Sequence, residues 1–143
     1  MLNFALKRKA QLYRVSKDGK KAFYIDVDNA NSILAFLKTE KSYAKKLRYI
    51  LDLLLDHPQI PRDLYDKEDF EKGCEHIAAM KPAKGKNNPR IYCQQYSDKE
   101  KEVYIIVAAE LLPKKKSEGL TNKEKAIIRR VASYEYELIE SKS

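Results

Sequence analysis

Arg90-Ile91-Tyr92-Cys93-Gln94-Gln95-Tyr96, the polar turn Ser97 to Lys101, the run Val103-Tyr104-Ile105-Ile106-Val107-Ala108-Ala109 and then Pro113-Lys114-Lys115-Lys116 decide how the chain is read. The first and third pieces are β-favouring segments of strand length, and the turn between them is short enough for antiparallel neighbours. The near-continuous apolar run has the composition of a central strand covered on both faces. Pro113 stops it, because proline has no N–H for the ladder. Three adjacent lysines then leave a buried strand together, and they cannot all turn away from it. If the two strands are antiparallel, Arg90 begins where its partner ends, so arginine and lysines converge on one end of the sheet.

The rest of the chain is arranged around this pair. Gln11 to Val15 and Ala22 to Val27 are β-favouring runs flanking Lys17-Asp18-Gly19-Lys20, and Asp-Gly between such runs signals a hairpin. Asp28 or Asn29 is placed to cap a helix through about Glu40. A second helix is expected from Ser42 to about Leu55, where Tyr43, Leu47, Ile50, Leu51 and Leu54 recur every three or four residues. Pro58 and Pro61 end it. Glu75 to Met80 is a short candidate strand followed by a basic loop from Lys81 to Pro89. Thr121 with Glu124 forms a capping-box pattern opening a last helix to about Ser141. The expected architecture is α+β in a single domain spanning 1–143. A helical hairpin near the N-terminus packs on a small, mostly antiparallel sheet, with a C-terminal helix. Residues 1–21 are expected as an N-terminal strand or hairpin extension, and 22–141 as the core.

The chain has 143 residues, 43% of them hydrophobic and 35% charged, which suffices for one core and excludes collagen-like or wholly disordered classes. Its 29 basic and 21 acidic side chains give a net charge of +8, favouring a polyanionic partner. The charge is uneven: residues 1–21, 81–101 and 114–143 are net basic, whereas 22–80 is net acidic and reads as solvated helix surface. The apolar runs fall short of a membrane span, and Met1 to Tyr13 lacks the apolar block and cleavage site of a signal peptide. A cytoplasmic protein without a membrane partner is expected. Two cysteines, Cys74 and Cys93, make no C-x-x-C pair, and only His57 and His76 remain as imidazole ligands. Neither a metal nor a cofactor is expected.

Several residues are candidates for chemistry. Arg90 offers a planar fork that grips a phosphate by two hydrogen bonds, or else it is a surface arginine paired with an acid. Lys114, Lys115 and Lys116 either bind phosphate or form a solvated turn. Lys81, Lys84 and Lys86 add to the positive field, or simply keep their loop soluble. Tyr134 and Tyr136 are two apart on the expected helix, so both cannot face the core squarely: one packs there, and the other either stacks on a base or is a plain tyrosine at the rim of the core. His76, in an expected strand, is either a general acid–base or a structural histidine. No Walker loop, G-x-G-x-x-G, H-E-x-x-H or hydrolase elbow occurs.

The strand opened by Arg90-Ile91-Tyr92, the strand Tyr104 to Ala109, the lysines 114–116 and the segment Ser133-Tyr134-Glu135-Tyr136 resemble the RelE/HigB group of bacterial type II toxins. Those toxins belong to the RelE/ParE superfamily. The likeness covers about residues 75–137 by motif and 22–74 by element order. It implies a metal-independent endoribonuclease that cuts mRNA on the ribosome through attack by the RNA 2′-hydroxyl, under the control of a cognate antitoxin protein. It also implies that Arg90 holds the scissile phosphate and that Lys115 or a neighbour stabilises the leaving oxygen. By the same likeness Tyr134 or Tyr136 orients the nucleotide, and His76 lies near the strand that carries the acid–base group. Pro89 stands where many relatives have glycine or serine, and the His-Asp-His set of some branches is absent, which leaves the general base open. Two other readings stay open beside it: a non-catalytic basic nucleic-acid-binding protein, and a ParE-like inhibitor of DNA gyrase.

Overall fold

The computed structural model describes residues 7–83, 87–115 and 119–140. The hairpin expected around Asp18-Gly19 forms from β1 (Arg8–Val15) and β2 (Lys21–Asp26). Gly19 adopts φ +74°, a conformation that costs a residue without Cβ little, and the Asp18 carboxylate accepts from the Ser16 hydroxyl and the Lys20 N–H. Two helices follow, α1 (Ala30–Lys38) and α2 (Lys41–Asp56). The apolar stripe of α2 is buried at Tyr43, Leu47, Ile50, Leu51, Leu54 and Leu55. The chain then builds β3 (Tyr65–Lys67), β4 (Ile77–Met80), β5 (Arg90–Asp98) and β6 (Val103–Leu112). The capping box closes at the start of α3 (Asn122–Ser133), and the last element is β7 (Tyr136–Ile139).

The expectation of a helical hairpin on a small, mostly antiparallel sheet does not describe this molecule. A seven-stranded mixed sheet in the order β3-β4-β5-β6-β2-β1-β7 dominates the fold. Its β2–β6 and β1–β7 pairs are parallel and the others antiparallel. The sheet is large because the N-terminal hairpin is part of it, and because β3 and β7 extend both edges. The last helix stops at Ser133 rather than near Ser141. Gln94, buried on β5, donates from Nε2 to the carbonyls of Val131 and Tyr134, both at 2.7 Å, and so takes up carbonyls left unpaired where the helix ends. The following residues are then free to pair with the edge of β1, Arg8 opposite Tyr136 through Gln11 opposite Ile139.

α1 and α2 cover one face of the sheet over Phe23, Ile25, Met80, Ile91, Ile106 and Ala108. α3 covers part of the other, packing Ile127, Ile128 and Val131 on Ile77, Ala79, Tyr92 and Ala109. Strand β6 lies between β5 and β2 with apolar side chains on both faces, as its composition requires. Cys74 and Cys93 are free and buried, and burial pushes the Cys93 thiol up. Among the described residues no helix is long and apolar enough to cross a membrane.

Candidate nucleic-acid interface

The β5–β6 ladder pairs Arg90 with Leu112, so Arg90 opens its strand where the partner strand delivers Lys114 and Lys115. Leu112 packs on the α3 side, and a cross-strand pair shares a face, so Arg90 lies on that side too. Two connections hold the ends together. The Lys115 N–H donates to the Asn87 carbonyl at 2.8 Å, and Asn88 takes a left-handed backbone with φ +43°. That turn brings the Asn88 carbonyl and Oδ1 within 3.2 and 2.6 Å of Arg90 Nη1, which also lies 3.1 Å from the Pro89 carbonyl. One nitrogen thereby anchors the guanidinium. Nε and Nη2 have no hydrogen-bond partner among the described residues, which leaves the edge of the fork that grips an oxyanion.

The lysines divide into two kinds. Lys115 turns inward: its side chain is 9% exposed, and Nζ donates to the Gly119 carbonyl and to Glu124 at 3.3 Å. Glu124 is buried, which alone would raise its pKa. Bonds from the Thr121 N–H and hydroxyl, the Tyr92 hydroxyl and Lys115 outweigh burial and hold it below the ordinary value. Lys114 is exposed and unpaired among the described residues, as is Lys123, and both line a pocket of about 260 Å³ with Thr121. Lys81 follows the Met80–Ile91 pair, at the same end of the sheet as Arg90, and its Nζ donates to the Arg62 carbonyl at 3.1 Å. Lys84, Lys86 and Lys116 lie outside the described residues.

His76 is separated from this corner. It sits in the turn before β4, where its carbonyl accepts from the Gln95 N–H. Gln95 is five residues along β5 from Arg90, roughly 16 Å at the rise of a strand. Sequence reasoning missed Glu68, which follows β3 and is half-buried, its N–H donating to the Ile77 carbonyl at 2.9 Å. Burial raises its pKa; the charges of Lys81 and Arg90 work the other way, and Glu124 adds to the rise. A partly buried carboxyl within electrostatic reach of an arginine fork is suited to carry a proton. Its signal in the sequence was weak, because it belongs to the acidic run Asp66 to Glu71 that reads as solvated surface.

Tyr134 and Tyr136 come together, but not on one helix. Tyr134 caps the C-terminus of α3 and Tyr136 opens β7, with ring centroids 6.1 Å apart and planes at 82°. Both hydroxyls are held by carboxylates, Tyr134 by Glu110 and Tyr136 by Asp26 at 2.7 Å. Burial and these carboxylates push both phenols up. The Arg8 guanidinium sits 4.2 Å from the centroid of the Tyr134 ring and pairs with Asp26 at 2.7 Å, while Arg130 clasps Glu110 at 2.7 and 2.6 Å. Glu110 is two residues before Leu112 on β6, so this network adjoins the Arg90 corner.

The corner therefore presents an anchored arginine fork and an exposed lysine, while the partly buried Glu68 carboxyl, its backbone opposite Ile77 and so roughly 13 Å along the sheet from Arg90, feels the charges of Lys81 and Arg90. Among the described residues no group of three or more His, Cys, Asp or Glu is arranged to hold a metal ion. Compared with protein-family models, with curated proteins and with solved structures, the chain matches none of them.

Proposed function

We propose that this protein is the toxin of a bacterial toxin–antitoxin pair and cleaves mRNA on the ribosome at the Arg90 corner. The observation that carries the reading is the β5–β6 register, which sets Arg90 opposite Leu112 and so beside the exposed Lys114. In this reading the outward nitrogens of Arg90 grip the non-bridging oxygens of the scissile phosphate. Glu68, whose carboxyl is electrostatically coupled to Lys81 and Arg90, is assigned in place of His76 to take the proton of the RNA 2′-hydroxyl. The 2′-oxygen bonds to phosphorus as the bond to the 5′-oxygen breaks, and Lys114 stabilises the departing oxygen and gives it a proton. The products are a 2′,3′-cyclic phosphate and a 5′-hydroxyl. The cognate antitoxin would act by covering this basic corner.

A second reading, binding without cleavage, is favoured by one specific observation. Lys115 and the hydroxyls of Tyr134 and Tyr136 are all engaged by internal carboxylates, which leaves fewer free groups than a full catalytic set. Inducible expression in bacteria separates the two readings, with wild type beside Arg90→Ala and primer extension on an abundant mRNA. Cleavage requires translation-dependent cuts with cyclic-phosphate ends that fall about 100- to 1,000-fold in the variant, the loss typical of one charge-stabilising donor. Intact mRNA in wild-type cells sinks the nuclease reading.

A further inference from the structure

The outward face of the helical hairpin, read from the sequence as ordinary solvated surface, carries a second cationic feature. On α2, Lys41, Lys45 and Arg48 fall at i, i+4 and i+7 and form one exposed stripe, and Lys38 lies at the end of α1. The stripe's two acids, Asp52 and Asp56, are taken by Arg14 of β1 at 2.6 and 3.3 Å. Lys38, Lys41, Lys45 and Arg48 have no acidic partner among the described residues. Beside them β1 bulges between Leu12 and Arg14, and the bulge places Tyr13 against the helices, edge-on to Phe23 at 5.9 Å and 47% exposed. Tyr13, Leu34, Leu37 and Leu47 form the apolar walls of a slot of about 180 Å³, and Lys38 and Arg48 stand at its rim.

We infer that this slot takes one unpaired nucleobase of a single-stranded RNA, stacked on Tyr13, while Lys38 and Arg48 hold the flanking phosphates. A closed apolar cavity of about 150 Å³ accommodates benzene, so the volume suits a single flat ring. An aromatic ring flanked by unpaired cations is the recurring device for gripping single strands without reading their sequence. Helices α1 and α2 cover the face of the sheet opposite α3, so the slot is separate from the Arg90 corner. The inference rests on RNA as the partner of this protein but not on cleavage.

The test uses the full chain in an Arg90→Ala background, which removes the corner's contribution, and a fluorescein-labelled uridine hexamer. Tyr13→Ala should weaken binding about 5- to 150-fold, the range for loss of one stacked base, whereas Tyr13→Phe should stay within about 2-fold. A 5-iodouridine hexamer should crosslink to Tyr13 on irradiation. If Tyr13→Ala melts early, Lys38→Gln/Arg48→Gln carries the test and should lower the slope of log affinity against log salt by about 1.4, two single-strand phosphates. Unchanged affinity with no crosslink at Tyr13 overturns the slot. So does an equal loss in Tyr13→Phe, or displacement of the hexamer by poly-glutamate at the same concentration, which would make the occupant an acidic peptide. If Arg90→Ala leaves cells and mRNA as wild type does while Tyr13→Ala loses the hexamer, the nuclease reading fails and the slot stands.

Discussion

Asp26→Ala should be among the most damaging single changes in the molecule. Asp26 is 0% exposed at the end of β2, and its two oxygens gather four groups from three other parts of the chain. They accept Arg8 Nε at 2.7 Å and Nη2 at 3.2 Å from β1, the Tyr136 hydroxyl at 2.7 Å from β7, and the Asn29 N–H at 3.0 Å from the start of α1. Alanine leaves the Arg8 guanidinium, 24% exposed, over the Tyr134 ring with Asp28 at 3.7 Å as its one carboxylate among the described residues, and strands a half-buried phenol. Removing one partner of a buried ion pair costs about 3–5 kcal/mol, mostly because the other charge stays buried. In a domain of this size each kcal/mol lowers the melting temperature by about 3–4 °C, so a fall of roughly 9–20 °C is expected. Asp26→Asn, whose single amide oxygen can accept from Tyr136 or from the Asn29 N–H but not from both, should cost less than alanine and more than half as much. Urea denaturation of the three proteins measures this directly. An Asp26→Ala loss below about 1 kcal/mol would refute the claim that one carboxylate ties β1, β7 and α1 to β2.

Lys115→Met should cost about 3 kcal/mol in the same assay, since it leaves Glu124 buried without its cation, and adding Glu124→Gln should recover much of the loss. A loss that the second change fails to relieve would mean that Lys115 acts through packing. Stability should also fall on acidification. The carboxyls of Glu110 and Glu124 are held below the ordinary glutamate value of 4.5, so their contribution is present above that value and lost as pH falls through the lowered ones. Glu68 has the opposite sign: its raised pKa means that the folded state favours the protonated acid, a contribution lost as pH rises. If Glu68 is the base, the acid limb of the cleavage rate lies above the ordinary glutamate value and disappears in Glu68→Gln.

The elements legible in the sequence were those whose cause is local. Asp18-Gly19 sets the hairpin, Thr121 and Glu124 close a capping box three residues apart, and the α2 stripe follows from its spacing. The size of the sheet was not legible, because it depends on a distant donor. Tyr134 to Ile139 contains nothing that ends a helix; the ending is at Gln94, forty residues earlier, whose amide occupies the carbonyls of Val131 and Tyr134. β3 is three residues long and too short for a periodic signal. At the candidate site, the meeting of Arg90 with the lysines followed from strand order alone. Which lysine turns inward did not, because that choice belongs to Glu124 on another element.

Net charge alone locates no surface on this protein, since the acids cancel the bases unevenly. Arg8, Arg14, Lys115, Arg129 and Arg130 are each taken by a carboxylate at 3.3 Å or less. Those cations hold strands and helices together and contribute little to the field that a polyanion meets. The unpaired cations singled out above fall into two groups, Lys114 and Lys123 beside Arg90, and Lys38 with the Lys41 to Arg48 stripe. Between the two groups lie a seven-stranded sheet and the helices packed on each face, so a short single strand cannot satisfy both. A ligand that does must present phosphates on two sides of the protein at once, as a cleft walled by folded RNA does and an extended messenger does not.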